Sequence, residues 1–190
     1  MLSQALRFLI DTVFGFVVYA ALLRFIMQWL RAPFRNPIGQ AVTALTDWAV
    51  KPLRKVLPGF RGYDWASLLF AWISQVLWLV ALAAVGGAEF SVTLGGYLMA
   101  LALVELIRAS LWILIGAVFL QAILSWVAPD GPLAGVLNAL TFRVLAPIRR
   151  IIPPLGGTLD LSPLIVIVLA QLALILPVAW LEESLKHLFQ

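Results

Sequence analysis

The sequence contains no cysteine and a single histidine, His187. Without cysteine there can be no disulfide, no thiolate metal site, no Cys-X-X-Cys redox pair and no covalent haem attachment through Cys-X-X-Cys-His. His187 sits in a polar tail, so a histidine zinc site or a histidine-assisted nucleophile has little to build on, and the residue reads as solvated or interfacial. Charge is scarce as well. Asp, Glu, Lys and Arg make up 12% of the 190 residues, against a hydrophobic fraction of 63% and a mean hydropathy of +1.04. That balance exceeds what a soluble surface tolerates and describes a membrane protein. No phosphate loop, nucleophile motif or carboxylate pair suited to acid–base work is present, so the chain is expected to have no catalytic residues, no metal and no cofactor. The net charge of +4 would suit nucleic acid, but the cations cluster in two loops. Membrane topology explains that placement, and no direct nucleic-acid contact is expected.

What the sequence does contain is an internal repeat. Pro52-Leu53-Arg54-Lys55-Val56-Leu57-Pro58 returns as Pro147-Ile148-Arg149-Arg150-Ile151-Ile152-Pro153, each proline displaced by 95 positions. Trp29 answers to Trp126 and Asp64 to Asp160 at nearly the same offset. Two copies therefore fill the chain, residues 1–90 and 91–190.

Each copy reads as a span, an amphipathic corner and a second span. Spans are predicted at about 8–30, 65–85, 105–127 and 162–181, the last interrupted by Pro177. A helix of about 20 residues crosses a ~30 Å hydrocarbon core. The first span could be mistaken for a secretory signal, but Asp11 interrupts the apolar run and Arg24 follows it, so it is expected to be retained. Residues 92–104 would be a helical extension or an interfacial piece. The corners cover 38–57 and 133–152. In the first, Ile38, Val42, Leu45, Trp48 or Ala49, Leu53 and Val56 form the apolar face, with Gln40, Thr43, Asp47, Lys51, Arg54 and Lys55 opposite, the pattern of a helix lying in the membrane interface. Pro52 has no amide hydrogen, which predicts a helix ending near Val50 and a short new one from Pro52. In the second, Leu133, Val136, Leu137, Leu140, Val144 and Ile148 point inward and Asn138, Thr141 and Arg149 outward.

Nine of the 13 cations lie in the two motif loops. By the positive-inside rule both loops are cytoplasmic and both termini lie outside. An even number of spans per copy gives parallel repeats, related by a pseudo-twofold axis along the membrane normal. The fold class is thus an all-α membrane protein of two parallel repeats.

Lys51, Arg54, Lys55, Arg149 and Arg150 are candidates for binding anionic lipid headgroups or an acidic partner, beside their plain role in topology. Pro52, Pro58, Pro147 and Pro153 shape the corners, and Asp64 and Asp160 open the following spans as caps or arginine partners. Gln75 and Gln171 match across the repeat at mid-membrane depth, and with Arg24 they are the candidates for a polar path. Interhelical hydrogen bonding accounts for the glutamines more simply, and Arg24 is near enough to the cytoplasmic end to snorkel.

Gln28-Trp29, Ser125-Trp126, both Pro-X-Arg-Arg/Lys-X-X-Pro corners, Gly156 and Asp160-Leu161-Ser162-Pro163 together resemble the YggT family of small bacterial membrane proteins, in its two-repeat proteobacterial form. The first copy departs from the pattern, since Asp64-Trp65-Ala66-Ser67 lacks the Ser-Pro. The resemblance implies a role in membrane homeostasis under osmotic or envelope stress, or in ion uptake. Gram-positive relatives look like division-associated proteins, and chloroplast ones are linked to haem attachment and nucleoid organisation. The reading from sequence is a non-enzymatic scaffold or stress-tolerance factor acting through the basic corners. The alternative is a small ion-conducting or osmotically gated protein, for potassium among other ions. Expected partners are anionic lipids, a second copy of the chain and a further membrane protein.

Overall fold

A computed structural model describes residues 2–59, 62–129, 131–152 and 160–189. Helix α1 (Leu2–Trp29) is followed by the interfacial α2 (Pro37–Val56), then α3 (Trp65–Val85), α4 (Val92–Val127), the second interfacial helix α5 (Ala134–Ile151), and α6 (Ser162–Ala173), which passes through Leu174–Val178 into α7 (Ala179–Leu188). Four helical stretches, Leu2–Trp29, Trp65–Val85, Val92–Val127 and Ser162–Leu188, are long and apolar enough to cross a membrane.

Local chemistry sets the ends. Helix α1 stops where Arg31 takes a left-handed φ of 54° and the Ala32 N–H returns to the Met27 carbonyl at 2.8 Å, a Schellman-type closure. Helix α3 closes in the same way at Gly87, φ 76°, where glycine adopts the conformation without strain. Asn36 caps α2 by accepting the Gly39 N–H at 3.0 Å, with Pro37 in the first turn, where its missing N–H costs nothing. Gly39 permits a close crossing, because a Cβ there would stand 2.4 Å from the Phe34 carbonyl oxygen.

Three expectations are corrected. Helix α2 runs through Pro52 to Val56 instead of restarting after Val50. Pro52 deprives the Trp48 carbonyl of its partner, but Leu53 packs against the core formed by Val18, Leu22, Val50 and Phe70, and Arg54 is held by Asp64, so the last turn stays helical. The interruption expected at Pro177 is present, but the last span reaches Leu188, beyond the 162–181 expected. A five-residue π turn, Leu174–Val178, absorbs the lost hydrogen bond, and the helix continues to Leu188.

The third correction concerns symmetry. Helix α1 packs on α5, whereas among the described residues α4 does not pack on α2; α3 packs on α4, whereas α6 packs on neither α1 nor α3. The repeats are parallel but not related by a twofold. The cause is the short link from Val85 to Val92 and the extra length of α4. Residues 92–104 are the opening turns of one continuous 36-residue helix, and they bury Leu98, Ala102 and Val104. The Trp72 indole donates to the Met99 carbonyl at 3.2 Å. Among the described residues nothing comparable ties α6 back to α1.

The two corners lie at the same end of the molecule, because Met27, Ala32, Val136, Leu137 and Leu140 share one core cluster. At the other end, Asp11 accepts from the Trp78 indole at 2.9 Å. Arg108 reaches Glu182 at 2.5 Å, so offset-matched positions tie each first span to its second. His187 is exposed, 3.6 Å from Glu183.

Candidate functional site: two ion-paired corners

The packed face of α2 is Gly39, Val42, Thr46 and Val50, while Leu45, Trp48 and Val56 point out of the protein. Thr46, fully buried, donates to the Val42 carbonyl at 2.6 Å and accepts from Arg24 Nη1 at 2.7 Å. The same Nη1 meets Asp47 Oδ1 at 2.8 Å, and Arg24 Nε stands 3.8 Å from Asp64 Oδ2. Arg24 is only 4% exposed. It does not snorkel; it is the hub that joins α1, α2 and the start of α3.

Arg54 closes the network from the corner motif. Its Nε and Nη2 grip Asp64 Oδ1 and Oδ2 at 3.2 and 2.5 Å, and Nη2 also meets Gln28 Oε1 at 3.3 Å. Asp64 caps α3 through the Ser67 hydroxyl at 2.5 Å and the Ser67 N–H at 3.4 Å. Burial pushes the Asp64 carboxyl up, yet the bonds from Arg54 and Ser67 outweigh it and hold the group below the ordinary carboxylate value. A hydrogen bond from Lys51, 2.8 Å away, does the same for Asp47.

Repeat 2 builds the same corner with fewer parts. Thr141, predicted to face outward, is fully buried. Residue 141 stands where 46 stands in repeat 1, and its hydroxyl donates to the Leu137 carbonyl at 2.9 Å. Its partner across the helix pair is the side-chain amide of Gln121. The hydroxyl has one proton, shared between the Leu137 carbonyl and the Gln121 amide oxygen, so Gln121 stands beside Thr141 as Arg24 stands beside Thr46. Arg149 Nε donates to Asp160 Oδ2 at 2.8 Å and Nη2 stands 2.8 Å from the same oxygen, while Asp160 accepts the Ser162 N–H at 2.9 Å. Burial pushes Asp160 up, but Ser162 and Arg149 bring it below its ordinary value. This pair is about one-third exposed, whereas Asp64 is 1% exposed. The first corner is therefore a buried lock and the second an open one.

Of the cations singled out from sequence, Arg54 and Arg149 are turned inward onto aspartates, Lys51 pairs with Asp47, and Lys55 and Arg150 are exposed. Pro52 and Pro147 lie inside their helices and Pro58 is exposed beyond α2; Pro153, with Gly156, lies outside the described residues. Gln75 is buried, Gln171 half-buried, and their helices α3 and α6 do not touch, so the matched glutamines are not brought together. Thr46 was missed, and Thr141, Asp47 and Gln121 were not read as parts of the corner network. The threonines share the 95-position offset of the prolines, and extending the repeat alignment through α2 would have found them. Among the described residues no group of three or more His, Cys, Asp or Glu is placed to hold a metal.

The architecture defines a helical membrane protein of two tandem repeats, each an apolar helix, an ion-paired interfacial corner and a second apolar helix. The family model described as CCB3/YggT matches twice, over residues 3–85 and 100–181, and the chain belongs to that family. It is 37% identical to an uncharacterised protein in the proC 3′ region of Vibrio alginolyticus, over 90% of this chain and 91% of the relative. It is 36% identical to the uncharacterised YggT of Escherichia coli K12, over 87% and 85%. An uncharacterised Haemophilus influenzae protein is 28% identical over 87% and 86%. No solved structure matches the chain.

Proposed function

We propose that this protein is a non-enzymatic scaffold or stress-tolerance factor of the bacterial inner membrane, with both corners facing the cytoplasm and touching anionic lipid or an acidic partner. The observation that supports this most is the division of labour among the corner cations. Arg54 and Arg149 anchor each corner to the span that follows. Their sequence neighbours Lys55 and Arg150 are left exposed beside the exposed Val56 and Ile151. An exposed cation next to an exposed aliphatic at the end of an amphipathic helix suits the headgroup region, where each cation adds about 1 kcal/mol on an anionic surface.

The test is complementation of a strain lacking the protein under hyperosmotic shock. Lys55→Gln with Arg150→Gln is expected to impair survival while the amount of protein in the membrane stays at the wild-type level. Full complementation by that double variant would refute a role for the exposed corner charge.

A further inference from the structure

Two of the differences between the corners lie on the first span of each repeat, and they open a space. An offset of 97 places Gln121 where Arg24 stands and Ser125 where Gln28 stands. Both replacements are shorter, and the Ser125 hydroxyl turns back onto its own helix, donating to the Ala122 carbonyl at 2.7 Å. A cleft of about 500 Å³ lies between α4, α5 and α6, lined by Gln121, Ser125, Trp126, Arg149, Asp160 and Leu164 among others.

Among the described residues, the guanidinium bordering this cleft meets a single acceptor oxygen. Arg54 uses three acceptor oxygens, two from Asp64 and one from Gln28. Arg149 brings both Nε and Nη2 to one oxygen, Asp160 Oδ2, and among the described residues has no counterpart of Gln28 Oε1. A guanidinium carries five N–H donors in a planar fork that matches phosphate geometry. The rest of the lining is apolar: Pro163, Leu164 and Ile167 border the cleft, and Leu164, 60% exposed, continues onto the surface that α6 presents to lipid. Trp126, 80% exposed, stands beside it, as an indole does at headgroup level.

We propose that this second-corner cleft binds the phosphate of a membrane phospholipid, which takes the acceptor place at Arg149 that Gln28 fills at Arg54, with the lipid chains lying along Leu164 and Ile167. The first corner, already filled by Arg24 and Gln28, holds no such lipid. The inference rests on the reading that the corners contact headgroups, and it narrows that contact to one corner.

The test uses the full chain purified in detergent, titrated with dioleoylphosphatidylglycerol and followed by native mass spectrometry. Wild-type protein is expected to retain one lipid. Ser125→Gln restores the missing amide acceptor without changing any charge, and is expected to weaken retention by at least about tenfold, the loss of one hydrogen bond to a charged group. Ser125→Asn, less bulky, should move in the same direction, and Arg149→Gln should abolish retention. Lys186→Gln, at the opposite end of the molecule beside Glu182, should leave it within about twofold. Wild-type retention by both Ser125 variants would overturn the cleft site, while the stress assay of the exposed cations would still stand or fall by itself. Inorganic phosphate is expected not to displace the lipid at millimolar concentration. Stoichiometric displacement would show a site for the free anion and overturn the lipid assignment.

Discussion

Replacing Asp64 by Asn removes one charge from the first corner and leaves its shape nearly intact, since an amide oxygen can still accept from Ser67. What it abandons is Arg54, which loses its bidentate partner, and Arg24, whose guanidinium is about 5% exposed and keeps only Asp47 as a full counter-ion. Removing one member of a buried pair costs about 3–5 kcal/mol because the other charge stays desolvated. Arg54, with 40% of its side chain exposed, recovers some solvation, so the lower end, about 3 kcal/mol, is expected. The matched change Asp160→Asn acts on a pair roughly one-third exposed on both sides, where about 0.5–1 kcal/mol is the ordinary scale. At about 2–4 °C per kcal/mol for a chain of this size, thermal unfolding in detergent should shift by about 6–12 °C for Asp64→Asn and by about 1–4 °C for Asp160→Asn. Adding Arg24→Gln, the residue type that repeat 2 carries at this position, should recover part of the loss, because the orphaned charge disappears. Equal shifts for the two aspartates, or further destabilisation by Arg24→Gln in the Asp64→Asn background, would refute the idea of a buried and an open lock.

Asp47, Asp64 and Asp160 are all held below their ordinary values. A carboxylate lowered in the folded state contributes stability that is fully present above its unfolded value and is lost as pH falls through its folded value. Melting temperature should therefore be flat from neutrality to about pH 5 and fall below about pH 4; a decline beginning above pH 6 would contradict this. Gly39→Ala drives a Cβ into the Phe34 backbone and should cost about 1–3 kcal/mol. Gly95→Ala meets nothing within 4 Å and should be neutral or stabilising by up to about 1 kcal/mol; the order of the two melting temperatures checks both. The natural absence of cysteine allows single-cysteine labelling in intact cells. Cysteines at Lys55 and Arg150 should resist an impermeant thiol reagent and one at Ala88 should react, and labelling of either corner from outside would reverse the orientation.

The sequence by itself determined that this is a membrane protein of two parallel repeats, because runs of some 20 apolar residues have no stable place outside lipid and a seven-residue motif returning at one offset leaves little freedom of interpretation. It also identified the corners as amphipathic and Asp64 and Asp160 as residues that open the next span, since both signals are local in the chain. Only the tertiary structure decided what the long-range partners are. Arg24 looked like a snorkelling cation because its position along α1 allows it; that it is buried follows from Thr46, Asp47 and Asp64 arriving from other helices. Thr141 looked outward-facing because a hydroxyl on an amphipathic helix normally is. Its burial depends on a half-buried amide, Gln121, reaching it from α4. Pro52 looked like a break and became continuous helix through packing and an ion pair, and the interruption at Pro177 took the form of a π turn that no propensity encodes. The open second corner, too, was decided in three dimensions. Equivalent positions in two repeats carry side chains of different length, and whether a guanidinium fills a space or leaves a cleft is settled only when the helices around it are in place.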